Sequence, residues 1–301
     1  MNSITIQEII DYLKRNNFDF SFKGDERTRI NGFSSLTNYK EGTLTWVKKP
    51  DSFVLDGLQL NIELVVTEKN CGLPFKNIIE ASNSKEVFFS ILDYFWGGRK
   101  HVGIAPSAVI ETQKIGSNVS VGHHSYICED VVIHDNVQIG NQVSIECPCV
   151  IGEGSIIGSG VVIGTDGFGY FQDANQIYKR VKHFGGVKIG RNVEVGANTC
   201  IDRGTIEDTC IGDNVKIDNL CHIAHNVRIG ENSLVIALSL LGGSTILDKN
   251  VYVAPGCMIK NQLHLGKDAF VGMGSVVLSD VPENKVVVGV PAKILRDNKR
   301  G

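Results

Sequence analysis

Two residues eighteen positions apart, His225 and Gly243, carry the chemistry that the sequence indicates most clearly. A neutral imidazole accepts protons in general base catalysis. A glycine leaves its backbone N–H uncovered, and such a group stabilises the oxyanion that forms when a nucleophile attacks a carbonyl. The pair therefore suits the attack of a nucleophile on a carbonyl carbon, provided that the fold places the two residues side by side.

A six-residue repeat supplies the spacing that brings them together. Aliphatic anchor residues recur every six positions from Val109 to Ile163, at Ile189, Val195 and Ile201, and again from Ile211 to Val277. A period of six matches neither an α-helix nor a simple strand, whereas a short strand followed by a sharp bend explains it. Three such units close a coil of about eighteen residues, and stacked coils form a hexapeptide β-helix with the anchors in one narrow core. Residues eighteen positions apart then occupy the same place in successive coils.

The cysteines fit the interior of such a helix. Cys149, Cys221 and Cys257 fall at the small inward position of the repeat, where cysteine packs as a small apolar residue. The sequence has eight cysteines and begins with an amphipathic helix pattern instead of a secretory signal. We therefore expect eight reduced thiols, no metal site and a cytoplasmic location.

The repeat also sets the predicted domain boundaries. Residues 1–100 lack the repeat and carry helix patterns at 5–16 and 85–94 and strand patterns at 44–47 and 64–66. The sequence thus predicts a mainly β protein with a small N-terminal α/β domain (1–100), a β-helix (101–285) interrupted by a loop at 166–187, and a short C-terminal tail (286–301).

Charge and hydropathy exclude two classes of partner. Lys and Arg number 30 against 33 for Asp and Glu, so the chain has no basic excess of the kind that nucleic-acid binding requires. The apolar share of 42% is enough for a core, but no apolar stretch approaches the ~20 residues that span a bilayer. We expect neither nucleic-acid binding nor membrane insertion.

Three motifs resemble one enzyme family. These are Thr165-Asp-Gly-Phe-Gly-Tyr170, Ile201-Asp-Arg-Gly204 and the segment Asp218–Val227, which contains Ile223-Ala-His-Asn226. They resemble the UDP-3-O-acylglucosamine N-acyltransferases of lipid A synthesis, the LpxD family, as does the N-terminal segment Gly42–Pro50. The resemblance implies a left-handed β-helix, a homotrimer, and transfer of a 3-hydroxyacyl group from acyl carrier protein to the amine of a nucleotide-linked amino sugar.

The resemblance also assigns roles to residues. It makes His225 the general base and places the thioester carbonyl against the Gly243 N–H. His222 and Asn226 flank the base as substrate-binding residues, and no acyl-enzyme is required. In the N-terminal domain, Trp46 can stack on the nucleobase. The pair His123-His124 lacks such a context and is expected on the surface.

Four departures from the family pattern alter these expectations. The chain ends at Gly301 without the helices that engage acyl carrier protein, and Lys49 and Ser52 replace two partners of Trp46 in the uridine clamp. A second active-site histidine of the family aligns with Gln262, with His264 two residues later, and both are candidate substrate-binding residues. The acyl-groove segment Val235–Leu241 is bulkier than its family counterpart. These departures favour a short acyl group.

The sequence therefore predicts an N-acyltransferase that moves a short acyl group from coenzyme A to a nucleotide-linked amino sugar for surface polysaccharide. Lys260 and Lys293 are candidates to meet the nucleotide end of coenzyme A, and no tightly bound cofactor is expected. One alternative is a true lipid A enzyme that uses acyl carrier protein and UDP-3-O-acylglucosamine. An alternative of another class is a non-catalytic or zinc-binding β-helix protein.

Overall fold

The chain forms two compact units, residues 1–100 and 101–301. The computed structural model describes residues 3–48, 62–97, 103–146 and 148–298. Each unit has its own hydrophobic core.

In the described part of the N-terminal unit, two helices pack on a small sheet. Its elements are β1 Ile4–Thr5, α1 Ile6–Arg15, β2 Phe20–Lys23, β3 Arg29–Ile30, a 3₁₀ turn Leu36–Asn38, β4 Leu44–Val47, β5 Leu64–Glu68, β6 Ile78–Ala81 and α2 Ser84–Trp96. Helix α1 begins at a capping box in which Thr5 and Glu8 satisfy each other's backbone N–H groups. Strands β4, β5 and β6 pair in parallel, β2 lies antiparallel to β6, and β1 pairs with β3. The predicted helices and strands of this region are present.

Short strands separated by sharp corners make up the second unit. In chain order they are β7 Gly103–Ile104, β8 Val109–Ile110, β9 Ser120–Val121, β10 Tyr126–Ile127, β11 Val131–Ile133, β12 Gln138–Ile139, β13 Ser144–Ile145, β14 Cys149–Ile151, β15 Ile156–Ile157, β16 Val162–Asp166, β17 Tyr170–Gln172, β18 Tyr178–Arg180, β19 Val187–Ile189, β20 Glu194–Val195, β21 Cys200–Arg203, β22 Thr209–Ile211, β23 Lys216–Ile217, β24 His222–Ile223, β25 Arg228–Ile229, β26 Leu234–Val235, β27 Leu240–Leu241, β28 Ile246–Leu247, β29 Tyr252–Val253, β30 Met258–Ile259, β31 His264–Leu265, β32 Phe270–Val271, β33 Val276–Val277, β34 Lys285–Gly289 and β35 Ala292–Asp297.

These strands stack into the three flat faces of a parallel β-helix. One face runs β8-β10-β13-β16-β21-β24-β27-β30-β33, and the other two follow the same pattern of one strand per coil. Ile127 pairs with Ile145, and Ile223 pairs with Leu241, so eighteen residues make one coil. From Val121 onward the anchors point inward and are almost inaccessible to solvent, which buries a continuous aliphatic column between the faces. This confirms the predicted repeat except at its start, where Val109 is exposed because its neighbour Ile110 takes the inward position and pairs with Ile127.

The insertion predicted as a loop forms a β-hairpin. Strands β17 and β18 pair antiparallel, after which the chain returns to the coil at β19. Asp208 fixes the return point because its carboxylate accepts a hydrogen bond from the Gly186 N–H at 2.7 Å and pairs with Lys188 Nζ at 2.7 Å.

The C-terminal segment 286–298, expected as part of a short tail after the β-helix, is paired with it instead. Strand β34, which includes residues 286–289, pairs in parallel with β32 and so continues a face of the β-helix. The chain then turns at a cis peptide bond between Val290 and Pro291, and β35 folds back antiparallel on β34. The segment therefore caps the last coil, because the apolar residues of β34 extend the face.

The cysteines follow the prediction with one exception. Cys149, Cys221 and Cys257 are buried free thiols, and burial raises the pKa of Cys149 to about 12. Cys128 is disulfide-bonded, so the expectation of eight reduced thiols is wrong at that position.

Within the described residues, neither helix is long and apolar enough to cross a bilayer.

The Asp208 contacts predict a pH-dependent contribution to stability. The Lys188 hydrogen bond, reinforced by the Gly186 N–H, holds the pKa of Asp208 below its ordinary value. A carboxyl group with a depressed folded-state pKa stabilises the fold above its unfolded pKa and loses that contribution as pH falls through the folded value. We expect Asp208→Asn to lower the free energy of unfolding by about 1 kcal/mol at pH 7. Chemical denaturation should show this difference shrinking as the pH falls from 7 through the folded-state pKa of Asp208. A difference that stays the same from pH 7 into the acid range would contradict the assignment.

Candidate active site

A cavity of about 340 Å³ opens where the insertion crosses the corner that follows β24 and β27. Its lining comes from four successive coils and from the insertion. The lining residues are Phe168, Asp202, His222, Ala224, His225, Leu240, Gly242, Gly243, Ser244, Asn261 and Gln262. The structure thus brings together His225, Gly243, His222 and Gln262, four of the residues singled out from the sequence.

The hydrogen bonds of His225 determine which of its nitrogens can act as a base. His225 Nδ1 lies 2.9 Å from Asn226 Oδ1. The same oxygen accepts hydrogen bonds from the Thr205 backbone N–H at 3.1 Å and the Thr205 hydroxyl at 3.0 Å. Because a backbone N–H can only donate, this atom is the amide oxygen, and His225 Nδ1 must carry a proton to bond to it. The lone pair of the neutral ring is then on Nε2.

Asn226 is itself held from several directions. Its backbone N–H donates to the Thr209 hydroxyl at 2.9 Å, and its side-chain amide donates to the Glu207 carbonyl at 3.4 Å. Asn226 turns the corner with φ of 62°, a left-handed conformation that asparagine adopts more readily than most residues. Its fixed carboxamide orients the imidazole of His225.

Gly243 lies directly against the His225 ring, as the coil spacing predicts. A Cβ on Gly243 would lie 2.7 Å from both His225 Cε1 and Nε2, closer than carbon and ring atoms can approach. The Ser244 N–H donates to the His225 carbonyl at 2.9 Å, which continues the ladder between β24 and β27. The missing side chain therefore provides the space that Nε2 needs to face the cavity.

The backbone N–H of Gly243 is available to a ligand. His123 and Ala197 each lie two residues past an anchor, as Gly243 does. The His123 N–H donates to Asn141 Oδ1 of the next coil at 2.7 Å, and the Ala197 N–H donates to Asn219 Oδ1 of the next coil at 2.6 Å. Gly243 N–H has no such acceptor among the described residues. A free donor beside an imidazole nitrogen is the arrangement that oxyanion stabilisation requires.

Asp202 is a residue of the cavity that the sequence analysis did not select. It belongs to β21, one residue past anchor Ile201, and its side chain is only 8% exposed. His222 Nε2 lies 3.5 Å from its Oδ2. Burial raises the pKa of Asp202, while the imidazoles of His222, His225 and His183 act in the opposite direction.

His183 and Gly167, both from the insertion, complete the surroundings of His225. The His183 ring is 2% exposed and meets the His225 ring edge to face, with centroids 5.3 Å apart. Its Nδ1 lies 3.0 Å from the Val181 carbonyl, and its buried Nε2 has no hydrogen-bond partner. A Cβ on Gly167 would lie 2.9 Å from His225 Cδ2, so only a glycine lets the insertion approach so closely. No repeat pattern marks these residues, although Gly167 lies within a motif that carries the family resemblance.

Other residues selected from the sequence lie away from this cavity. His264, in β31, belongs to a different face and pairs with Asp248 at 3.0 Å. Lys260 is exposed after β30, and Lys293, in β35, lines a separate cavity near the last coil. The structure therefore does not bring these three residues to His225 within one chain.

Of the residues expected in the nucleotide site, Trp46 is half-buried. Its Nε1–H donates to Ser84 Oγ at 2.9 Å, and its ring stacks on Phe88 of α2. Lys49 lies outside the described residues.

His123 and His124 are exposed, as expected. Within the described parts of the chain, no three His, Cys, Asp or Glu side chains are arranged to hold a metal ion.

Comparison with known proteins identifies the repeat. Residues 114–146, 130–165 and 208–243 match the bacterial transferase hexapeptide family model of six repeats. A UDP-3-O-acylglucosamine N-acyltransferase of Bordetella pertussis is 37% identical over 46% of this chain and 39% of its own length. Its counterpart in Coxiella burnetii is 40% identical over 48% of this chain and 47% of its own length. The matched part thus spans less than half of each relative.

Solved structures of similar fold confirm the left-handed parallel β-helix. LpxA, a UDP-N-acetylglucosamine acyltransferase from Bacteroides fragilis, superposes with a TM-score of 0.59 at 28% identity, over 65% of this chain and 75% of that one. The Campylobacter jejuni UDP-N-acetylglucosamine acyltransferase superposes with the same TM-score at 26% identity and the same two coverages. The chain therefore carries bacterial transferase hexapeptide repeats and is similar to the UDP-3-O-acylglucosamine N-acyltransferases, as its motifs indicate.

Proposed function

We propose that the chain is an N-acyltransferase that transfers an acyl group from a thioester to the amine of a UDP-linked, 3-O-acylated glucosamine. The observation that carries the proposal is the placement of His225 Nε2 beside the free N–H of Gly243 at one cavity. The names of the relatives supply the acceptor, and the geometry supplies the two groups that acyl transfer needs.

The reaction proceeds by direct attack. The amine nitrogen attacks the thioester carbonyl, His225 Nε2 takes a proton from that nitrogen, and the Gly243 N–H stabilises the oxyanion. Collapse of the tetrahedral intermediate expels the thiolate, which His225 protonates as it returns to the neutral state. Because Asn226 accepts from Nδ1 throughout, the imidazolium stage retains its hydrogen bond. No covalent acyl-enzyme is formed.

The proposed acyl donor differs from the coenzyme A ester that the sequence favours. The sequence departures favour short acyl-CoA, but the names of the relatives fit the lipid A alternative better. Lys260 and Lys293, the candidates for the nucleotide end of coenzyme A, lie outside the His225 cavity. We therefore propose a 3-hydroxyacyl group on acyl carrier protein as the donor.

Three further assignments belong to the same proposal. Trp46 stacks on the uracil, a homotrimer provides a second wall for the cavity, and the protein works in the cytoplasm. Trp46 keeps a partly exposed ring that suits stacking. His222 and Gln262 line the cavity and are placed to contact the acceptor sugar.

Replacing the base tests the mechanism. We expect His225→Ala to lower kcat by ~100-fold or more, because the amine proton then has no acceptor in the site. The melting temperature should change little, since the ring is half-buried at a corner outside the aliphatic core. Steady-state kinetics and thermal melts check both expectations. Turnover close to wild type in a folded His225→Ala protein would remove His225 from the mechanism.

The space beside the base gives a second test. We expect Gly243→Ala to reduce kcat/KM by ~10–100-fold, because the new Cβ displaces the imidazole while the backbone N–H is retained. Gly256→Asn is the matched control: no atom lies within 4 Å of its Cβ position, and its φ of 68° is one that asparagine accepts. Equal activity of the two variants would show that Gly243 has no special place beside His225.

A donor panel tests the substrate assignment. Hydroxymyristoyl acyl carrier protein, hydroxymyristoyl-CoA and acetyl-CoA are compared with UDP-3-O-acylglucosamine as the acceptor, and product is followed by mass spectrometry. We expect turnover with the carrier protein to exceed that with either coenzyme A ester. Preferred use of acetyl-CoA would contradict the carrier-protein donor and support a short acyl group on coenzyme A.

A further inference from the structure

The carboxylate of Asp202 is buried without the hydrogen bonds that such a group normally has. Its side chain is 8% exposed and lines the cavity. His222 Nε2 lies 3.5 Å from its Oδ2, and among the described residues no N–H or O–H group donates a hydrogen bond to it. Buried carboxylates are costly unless paired, so this one is poised for a donor that enters the cavity.

The position of Asp202 relative to His225 indicates what that donor is. Asp202 Oδ2 and His225 Cδ2 both lie next to Gly167, 3.0 Å and 2.9 Å from the point where its Cβ would be. Both residues line the cavity that also contains Gly243. A ligand in this cavity can therefore contact the carboxylate and the imidazole together.

We propose that Asp202 binds the acceptor nitrogen and selects an amine over a hydroxyl. This assignment rests on the proposed function and concerns the same cavity. An amine has two hydrogens: one points to His225 Nε2, and the other donates to Asp202. When the nitrogen attacks the carbonyl it becomes positively charged with both hydrogens still attached. His225 then removes one proton, and Asp202 stabilises the charged nitrogen without taking a proton.

A hydroxyl acceptor cannot satisfy both groups. Its one hydrogen goes to His225, which leaves the Asp202 carboxylate buried and facing an oxygen lone pair. Sites that hydrogen-bond a substrate group reject analogues that lack it, because the buried polar group of the protein is left unpaired. Asp202 thus provides a physical reason for N-acylation over O-acylation.

The test compares acceptors that differ at one atom. UDP-3-O-acylated sugars with an amine, a hydroxyl or a hydrogen at carbon 2 are titrated by calorimetry into the wild-type chain and into Asp202→Asn, without donor. We expect the wild-type protein to bind the amine at least ~10-fold more tightly than the other two, and Asp202→Asn to bind all three within ~3-fold. With donor, Asp202→Asn should lose ~10–100-fold in kcat/KM for the amine.

Stability and a control variant exclude a merely structural role. The asparagine is isosteric and removes a buried charge, so the melting temperature of Asp202→Asn should equal or exceed that of wild type. Asp213→Asn, which removes a partly exposed carboxylate paired with Arg191 on another face, should retain the amine preference. A retained amine preference in folded Asp202→Asn, or an equal loss of affinity for all three acceptors, would overturn the assignment. Absence of transfer by the wild-type chain would instead overturn the proposed function, because amine preference is measured without donor.

Discussion

The hydrogen bond from His225 Nδ1 to Asn226 Oδ1 is the interaction on which the site depends. It places the lone pair of the neutral imidazole on Nε2, and Nε2 is the atom that faces Gly243. The neighbouring contacts serve to fix this bond: the Thr205 N–H identifies the accepting oxygen, and Thr209 holds the Asn226 backbone. When one ring nitrogen of a histidine is held by a hydrogen bond, the tautomer and the direction of the basic lone pair are fixed, whereas a histidine without such a bond can take either tautomer.

The β-helix turns this local bond into a site because it repeats at a fixed distance. The pairing of Ile223 with Leu241 sets the register that places Gly243 against the His225 ring. A one-residue slip would move the anchors out of the core, so burial of the aliphatic column also protects the catalytic register. The insertion then covers part of this corner, since Gly167 lies against His225 and Asp202 and the buried His183 ring meets the His225 ring. Burial of this kind strengthens the electrostatic contacts beneath it.

The sequence predicts what the repeat controls and misses what the insertion controls. The anchors, the buried cysteines and the proximity of His225 to Gly243 all follow from a period of six, because each coil repeats the last. Asp202 sits one residue past an anchor, a position whose burial the repeat alone does not determine, and Gly167 of the insertion lies close to its carboxylate. His183 lies where no periodicity exists. His264 was expected near the base from the resemblance, but its place in the repeat assigns it to another face.

The most direct test of the account is the protonation state of His225, read by nitrogen NMR on protein with ¹⁵N-labelled histidine. The ring signals of His225 are assigned by their absence in His225→Gln, and their chemical shifts distinguish a protonated from an unprotonated ring nitrogen. The account predicts, for the neutral ring, a proton on Nδ1 and a bare Nε2. A neutral ring with its proton on Nε2 would contradict it, because that nitrogen could then accept no proton from an attacking amine.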